Sequence, residues 1–299
     1  MMFSPTPIVD QVLPPAADSM TTRVLAPVAE DACIAAFGAD AARLGVGSFG
    51  AVRAAVLDGR AQYGVLPIEN LINGTVRETL DLLRDGALEI VAETTVPVTL
   101  VLAALPGVAV EEVRRVYSHA QALAQAEEFL KSRPWALLTT YNTAGAGAMI
   151  RERGERDAAA VLSPRAAALH GLVPLGGPIE GVPGNRTRFW IVRRSGATAS
   201  LAHLGSQIAA GSPQTTLLVG VRNAPGALLA VLERIAAANL NMSKLESRPS
   251  RGEEWEYIFW IDLDARVGEP AFDAVLADLR AVTTELRVLG TYARGEGRG

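Results

Sequence analysis

The 299-residue chain has few cysteines, no long apolar run and no excess of basic residues, and each absence excludes a class of protein. It has one cysteine, Cys33, so it cannot form an internal disulfide, and alanine-rich surroundings favour a core residue over a nucleophile. No apolar run approaches the ~18 residues of a membrane span. Lysine and arginine total 28 against 32 acidic residues, and this lack of a basic excess excludes a general nucleic-acid-binding surface.

The start of the chain lacks the features of a secretory leader. It has no basic segment and no unbroken apolar core, and the range 1–21 carries four prolines, Pro5, Pro7, Pro14 and Pro15. We expect a disordered tail there, with Met20 as an alternative initiator, and a cytoplasmic location.

What the chain does have is a large apolar fraction, 49%, at a length that suits about two domains. Up to residue 173, short apolar runs alternate with helical patterns, which predicts an α/β domain with a mostly parallel sheet. The predicted elements include a turn at Gly74, a helix from Ser118 to about Lys131, a helix from Thr143 to about Arg153, a strand from Ala158 to Leu162, and a helix with Pro164 as its first residue. Pro97 interrupts the apolar stretch from Leu88 to Leu105, so two strands are predicted there.

Polar residues follow two of the predicted strands. The run from Tyr63 to Ile68 opens into Glu69 and Asn70, and Ser118 and His119 follow another strand. Ligands of such sheets gather at the carboxyl ends of strands, so both positions favour a site. Ser118 is also predicted to be the N-cap of the next helix, either for capping alone or with ligand contact as well.

A third polar group begins at a predicted turn formed by Gly184 and Asn185. Thr187 and Arg188 follow it, immediately before an apolar strand from Phe189. A hydroxyl donor and a cation side by side, where a loop becomes rigid, suit an anionic ligand. The alternative is a threonine at the start of a strand beside a solvated arginine.

The last part of the chain predicts a second kind of fold. Glycine, serine and alanine are frequent from 195 to 213, which indicates a linker. The predicted order after it, βαββαβ over about 85 residues with a turn at 250–253 between the second and third strands, is the ferredoxin-like unit. This unit offers no obvious catalytic group, so it is either a small-ligand sensor or a dimerisation module.

Together these segments resemble prephenate dehydratase with a C-terminal ACT regulatory domain. The family's versions of four blocks run PIENS, SHPQAL, N-x-TRF and ESRP, with GAL as companion of the last. Here they are Gly64 to Asn70, Tyr117 to Leu123, Asn185 to Phe189, Lys244 to Pro249, and Gly226 to Leu228.

The resemblance implies a two-lobed α/β catalytic domain, like type II periplasmic binding proteins, followed by a ferredoxin-like ACT domain. The implied bounds are 22–195 for the catalytic domain, 196–213 for a linker and 214–299 for the ACT domain. The lobes would be about 22–98 with 174–195, and 99–173. A homodimer or homotetramer is expected, with no nucleic acid and no membrane as partner.

The implied reaction is the decarboxylative dehydration of prephenate to phenylpyruvate in phenylalanine biosynthesis, without cofactor or metal and with phenylalanine as effector. Thr187 would help the ring hydroxyl leave. Because a threonine hydroxyl has too high a pKa for strong acid catalysis, we interpret it as a positioned donor.

The resemblance also implies roles for further residues. The catalytic set would be Thr187, Glu69, Asn70 and Gln121. Substrate would be bound by Ser118, Arg188, Phe189, Asn185 and Thr143. The effector would be bound by Gly226, Ala227, Leu228, Glu246, Ser247, Arg248 and Pro249.

Several positions depart from the family pattern. The family's opening G-P-x-G-T-F-S segment is replaced by Ala26 to Asp31, and Leu71 and Ala120 replace the serine after Asn70 and the proline after His119. These changes keep three alternatives open: an arogenate dehydratase, a non-aromatising prephenate decarboxylase, and an inactive protein that binds aromatic metabolites.

Overall fold

The computed structural model describes residues 23–25, 29–140, 143–182, 184–198, 204, 208, 211–249 and 257–295. The predicted tail at 1–21 and the turn predicted at 250–253 lie outside the described residues. Those described up to Val96 and from Arg188 onward form one compact unit, and Pro97–Thr187 form the other. No helix in the described part of the chain has both the length and the hydropathy to cross a membrane.

Helices and strands alternate through the first two thirds of the chain. In order they are β1 (Arg23–Leu25), α1 (Glu30–Phe37), β2 (Arg43–Gly45), α2 (Phe49–Leu57), β3 (Tyr63–Asn70), β4 (Gly74–Thr75), α3 (Arg77–Leu83), β5 (Leu88–Pro97), β6 (Val101–Ala104), a 3₁₀ turn (Val110–Glu112), β7 (Arg115–Ser118), α4 (Ala120–Gln125), α5 (Glu127–Lys131), β8 (Ala136–Thr139), α6 (Thr143–Arg153), β9 (Ala158–Leu162), α7 (Pro164–Leu169), β10 (Val173–Pro174) and β11 (Arg186–Arg194).

The C-terminal part follows the order predicted from the sequence. Its elements are β12 (Pro213–Val221), α8 (Ala227–Ala237), β13 (Met242–Pro249), β14 (Tyr257–Leu263), α9 (Pro270–Arg280) and β15 (Glu285–Ala293). The four strands form an antiparallel sheet in the order β13-β14-β12-β15, the ferredoxin-like arrangement. The predicted fold of this region is therefore confirmed.

The first unit is built on a sheet in the order β2-β1-β3-β11-β5, with β4 paired to β3. Strand β1 pairs in parallel with β2 and with β3, as alternating strands and helices predict. The antiparallel β3–β4 hairpin is a difference from the prediction of a plain turn. Strand β3 is buried along nearly its whole length because both faces of the sheet are covered.

The second unit has its own sheet, in the order β10-β6-β9-β7-β8. The strands β8, β7 and β9 run parallel, and β6 and β10 are antiparallel to their neighbours. The predicted break at Pro97 is confirmed, because β5 ends there and β6 begins at Val101. The single helix predicted up to Lys131 is interrupted at Ala126 and forms α4 and α5.

The ferredoxin-like sheet packs directly on the rest of the first unit. One of its faces is covered by α8 and α9, and the other contributes Leu218, Ile258 and Trp260 to a core that also contains Ile90 and Trp190. The C-terminal region and the first α/β sheet thus share one hydrophobic core.

Candidate functional site

Asn70 shapes the hairpin at the end of β3. Its Oδ1 accepts hydrogen bonds from the backbone N–H groups of Ile72 (3.1 Å) and Asn73 (3.0 Å) and from Nδ2 of Asn73 (2.9 Å). An asparagine that binds the backbone two and three residues ahead is a usual way to fix such a turn. Leu71 and Ile72, at the tip, are exposed. The carbonyl of Asn70 is therefore engaged in holding the loop.

Ser118 is the last residue of β7 and is not the N-cap of α4, which corrects the prediction. The N-cap is His119, whose Nδ1 accepts a hydrogen bond from the N–H of Gln121. The buried hydroxyl of Ser118 donates to the carbonyl of Val161 on β9 (2.6 Å). Ser118 therefore joins two neighbouring parallel strands, and Gln121 lies exposed in the first turn of α4.

The segment that contains Thr187 begins with a turn at Gly184. Gly184 has a φ of 79°, a conformation that favours glycine, and Asn185 behind it is buried and accepts a hydrogen bond from the N–H of Val98 (2.8 Å). Thr187 is half-buried near the start of β11. Phe189 is 2% exposed and packs in the core of the first unit, which assigns its ring to the packing of the sheet.

Thr143 is the first residue of α6, as predicted. Its side chain lies outside what the structure describes. Glu69 and Asn70 thus belong to the first unit, and Ser118, Gln121 and Thr143 to the second.

Arg188 lies in a buried ionic cluster rather than at the surface. Its Nη1 is 2.7 Å from Oε2 of Glu69, and its Nη2 is 2.6 Å from Oε2 of Glu93 and 3.4 Å from Oδ2 of Asp262. Lys244 adds a second cation, 3.4 Å from Glu69. The cluster joins β3, β5 and β11 to strands β13 and β14 of the ferredoxin-like sheet.

Burial controls the protonation of this cluster. Desolvation raises the pKa of Glu93 and of Asp262, against the opposing effect of the Arg188 charge. Fully ionised, the cluster holds three carboxylates and two cations. The carboxylates hold the pKa of Arg188 well above its usual range despite its burial, so the guanidinium stays charged.

A second layer of hydrogen bonds holds Asp262 in place. Its Oδ1 accepts a hydrogen bond from the hydroxyl of Thr216 (2.7 Å). The same hydroxyl is hydrogen-bonded to the hydroxyl of Tyr292 (2.7 Å). Trp190 Nε1 donates to the same Tyr292 hydroxyl (3.1 Å). Sequence reasoning missed this network. The available signal was the occurrence of Glu93, Thr216 and Asp262 within otherwise apolar strands, where a polar residue needs a partner.

The residues predicted to bind an effector lie on two faces of the C-terminal region. Glu246 accepts from Thr75 Oγ1 (3.0 Å), and Arg248 pairs with Asp81 on α3 (2.8 Å). Ser247, between them in β13, is exposed on the opposite face, as alternation along a strand requires.

The other predicted effector residues lie at the start of α8 and at the end of β13. Gly226 is the N-cap of α8 with a φ of 81°, and Ala227 and Leu228 open that helix. Pro249 is the last residue of β13.

Other features of the described residues do not coincide with this site. A cavity of about 490 Å³ is lined by Arg53, Asp81, Leu82, Arg84, Asp85, Glu285 and Arg287, none of them predicted to act on substrate. Across the described ranges, no group of three or more histidine, cysteine, aspartate or glutamate side chains is placed to hold a metal ion.

The fold and the site define a class: a two-lobed α/β domain of the type II periplasmic-binding-protein kind with a C-terminal ACT domain. Residues 28–197 match the prephenate dehydratase family and residues 215–281 match the ACT domain. The chain belongs to the prephenate dehydratase family.

Two curated relatives show this relationship in sequence. The bifunctional chorismate mutase/prephenate dehydratase of Aquifex aeolicus is 35% identical over 236 residues, which cover 79% of this chain and 62% of that protein. Arogenate dehydratase 1 of Petunia hybrida is 36% identical over 248 residues, covering 78% of this chain and 56% of that one. The matched part thus spans less than two thirds of the length of either relative.

Two solved structures are similar to this chain in fold as well as in sequence. The prephenate dehydratase of Arthrobacter aurescens, in complex with L-Phe, has a TM-score of 0.77 and 31% identity, covering 91% of this chain and 90% of that one. GqqA, described as a novel type of quorum quenching acylase, has a TM-score of 0.81 and 30% identity, covering 92% and 98%. Because proteins with different described activities share the fold, the fold alone does not determine the activity of this chain.

Proposed function

We propose that the protein converts prephenate to phenylpyruvate, releasing carbon dioxide and water, and that its ACT domain binds phenylalanine. The observation that carries this proposal is Thr187, a half-buried hydroxyl near the start of β11 that is set by the turn at Gly184. Family membership and the intact motif around Thr187 support it.

The proposed reaction couples loss of carbon dioxide to loss of the ring hydroxyl group. As the ring carboxylate leaves as carbon dioxide, its bonding electrons enter the ring and expel the hydroxyl group, which takes up a proton to become water. Formation of the aromatic ring drives the reaction, so the enzyme has to orient a dianion and stabilise the departing oxygen. Thr187 is the proposed hydrogen-bond donor to that oxygen.

The other predicted residues divide into binding and supporting roles. Gln121 and Thr143 are proposed substrate contacts, because each lies in the first turn of a helix that follows a strand of the second sheet. Asn70, Ser118 and Asn185 support the backbone at the strand ends. Glu69 is proposed to orient Arg188.

The regulatory proposal rests on the ACT domain and on the Arthrobacter relative, whose structure holds L-Phe. Ser247 and the turn at Gly226 to Leu228 are the proposed effector contacts. A homodimer or homotetramer in the cytoplasm is part of the same proposal, and light scattering after gel filtration measures its size.

The test of the catalytic role uses Thr187→Ala with Thr187→Ser as its matched control. We expect the wild type to form phenylpyruvate. The kcat of the alanine variant should be about 100-fold lower than that of the wild type, and the kcat of the serine variant should be within about tenfold of it. Product absorbance at alkaline pH measures all three. An alanine variant as fast as the wild type would remove Thr187 from the mechanism, and a wild type without turnover would remove the proposed reaction.

Arogenate is the second candidate substrate, favoured by the 36% identity to the Petunia arogenate dehydratase. Arogenate carries an amino group where prephenate carries a keto group, and the product would be phenylalanine. Comparing kcat/KM for both substrates on the same preparation decides between them. A non-aromatic dihydro product would instead identify the decarboxylase alternative.

A further inference from the structure

Strand β11 presents Thr187 and Arg188 in succession. Because successive side chains of a strand point to opposite faces, Thr187 and Arg188 face opposite sides of the sheet, and Arg188 shares its face with Trp190. The ACT domain contacts both of these residues: Asp262 lies 3.4 Å from Arg188, and Tyr292 binds Trp190 at 3.1 Å. The strand that carries the proposed catalytic hydroxyl is thus held by the ACT domain at two points.

We propose that Arg188 is a positioning residue, through which Asp262 of the ACT domain and Glu93 of β5 fix the strand that presents Thr187. This inference rests on the proposed function for its catalytic consequence. It reassigns Arg188 from the binding of a substrate carboxylate to the transmission of the state of the ACT domain.

The charges around Arg188 oppose a role in binding an anion. The guanidinium is 20% exposed and lies against Glu69, Glu93 and Asp262, of which Glu93 and Asp262 are 1% and 0% exposed. A dianionic substrate approaching Arg188 would meet these carboxylates at short range, in surroundings where repulsion is weakly screened. The same carboxylates suit a guanidinium that serves as a fixed link, since its planar donors bind several acceptors at once.

Arg188 is also linked to the strand that carries the proposed effector contacts. Glu69 accepts from Arg188 and lies 3.4 Å from Lys244 of β13. Lys244 is the register partner of Asp262, and Glu246 and Ser247 follow it on the same strand. A ligand that displaces β13 therefore acts on two of the three acidic partners of Arg188, on Glu69 through Lys244 and on Asp262 through the sheet.

The experiment compares Asp262→Asn and Arg188→Lys with the matched control Arg193→Gln. Arg193 also lies on β11 and pairs with Glu89 of β5 at 2.5 Å, but this pair contains no ACT residue. Asparagine keeps the size of Asp262 and an acceptor for Thr216, so the ACT core stays filled. Lysine keeps the charge of Arg188 but cannot bind the same carboxylates together.

Two readouts are measured on the full chain. Steady-state kinetics with prephenate give kcat and KM, and hydrogen exchange gives the opening of the amides of residues 187–190 without substrate. We expect Asp262→Asn and Arg188→Lys to lower kcat about tenfold, keep KM within about twofold and speed exchange about tenfold, as loss of one charge-assisted hydrogen bond would. Arg193→Gln should leave both readouts within about twofold of the wild type.

The outcomes separate this inference from the proposed function. A large rise in KM for Arg188→Lys with kcat and exchange unchanged would make Arg188 a substrate ligand and overturn the inference. Unchanged exchange in Asp262→Asn would show that the ACT domain does not hold β11. If the wild type does not convert prephenate, the proposed function fails and the exchange rates alone decide whether Asp262 holds this strand. If Asp262→Asn does not fold, Arg188→Lys carries the same comparison.

Discussion

Arg188 and Ser118 illustrate how a side chain's partners determine its role. Both are polar groups in blocks that carry the family resemblance, and both were predicted to touch substrate. Arg188 is enclosed by three carboxylates, and Ser118 donates to a carbonyl on the neighbouring strand. A buried polar group is costly unless paired, so its first task is often structural.

Replacing Ser118 with alanine tests that structural role. We expect the free energy of unfolding to fall by about 1 kcal/mol, because the buried carbonyl of Val161 loses its donor, and KM for prephenate to stay within about twofold. Thermal unfolding and steady-state kinetics give the two quantities.

Ser163→Ala is the matched comparison for this prediction. Ser163 directly follows the neighbouring strand β9 and caps α7 by accepting a hydrogen bond from the N–H of Ala166 (3.1 Å). Its loss should cost a similar ~1 kcal/mol and leave KM unchanged. If Ser118→Ala raises KM roughly tenfold and Ser163→Ala does not, Ser118 is a substrate contact.

At this scale the sequence indicated which residues were polar at strand ends, but not their partners. The acidic partners of Arg188 lie 119, 95 and 74 positions away in the chain. No local pattern encodes pairs at such separations. The assignment of the N-cap to Ser118 was wrong by one residue, because β7 extends through Ser118 before the helix begins.

At the scale of the elements, the backbone of β15 lies close to that of β5 at Gly290. A Cβ at position 290 would lie 2.1 Å from the carbonyl oxygen of Ile90, a distance that no side chain can occupy. Glycine is therefore required for the ACT sheet to pack against the first sheet at this point.

Gly290→Ala should consequently weaken the packing of these two elements. We expect the free energy of unfolding to fall by roughly 2–3 kcal/mol, since the new methyl group meets rigid backbone rather than a movable side chain. Gly45→Ala, in β2, where no described atom lies within 4 Å of the added Cβ, should change it by less than about 0.5 kcal/mol. Equal effects of the two substitutions on thermal unfolding would contradict this account.

Element types were predictable because alternating apolar runs and helix caps are local signals. Strand β9 was predicted with its observed bounds, and Pro164 begins α7 as expected. The two-residue strands β4 and β10 were not predictable, since their pairing depends on neighbours already in place. The same holds for the packing of the ACT sheet, whose second apolar face has no partner within its own sequence segment.

On the scale of the whole molecule, the ionic cluster makes stability depend on pH. The pKa of Glu93 is raised above its ordinary value of 4.5 by burial. The folded state then binds more protons than the unfolded state, so this contribution is complete below about 4.5 and is lost as pH rises through the folded pKa. We expect the wild type to become less stable than Glu93→Gln as pH rises above about 4.5, measured as the difference between their melting temperatures.

Asp157 provides a comparison of opposite sign. A hydrogen bond from Arg115 (2.5 Å) lowers the pKa of Asp157 below its ordinary 3.8. Its contribution is therefore present above that value and is lost as pH falls. The melting temperature of the wild type should approach that of Asp157→Asn only in acid. For the Glu93 comparison, the contrary result would be a wild type that gains stability relative to Glu93→Gln as pH rises. That result would show that the ion pair between Glu93 and Arg188 outweighs the desolvation of Glu93.

The shared core also provides the protein with a spectroscopic reporter. Trp190 and Trp260 are both fully buried, one on the first α/β sheet and one on the ACT sheet, in the same apolar cluster. Indole emission shifts to longer wavelength when water reaches the ring. Separation of these two sheets would therefore shift the emission maximum of the intrinsic tryptophan fluorescence. Any separation of the two sheets, including one that accompanies the proposed binding of phenylalanine, can therefore be followed in solution without a label.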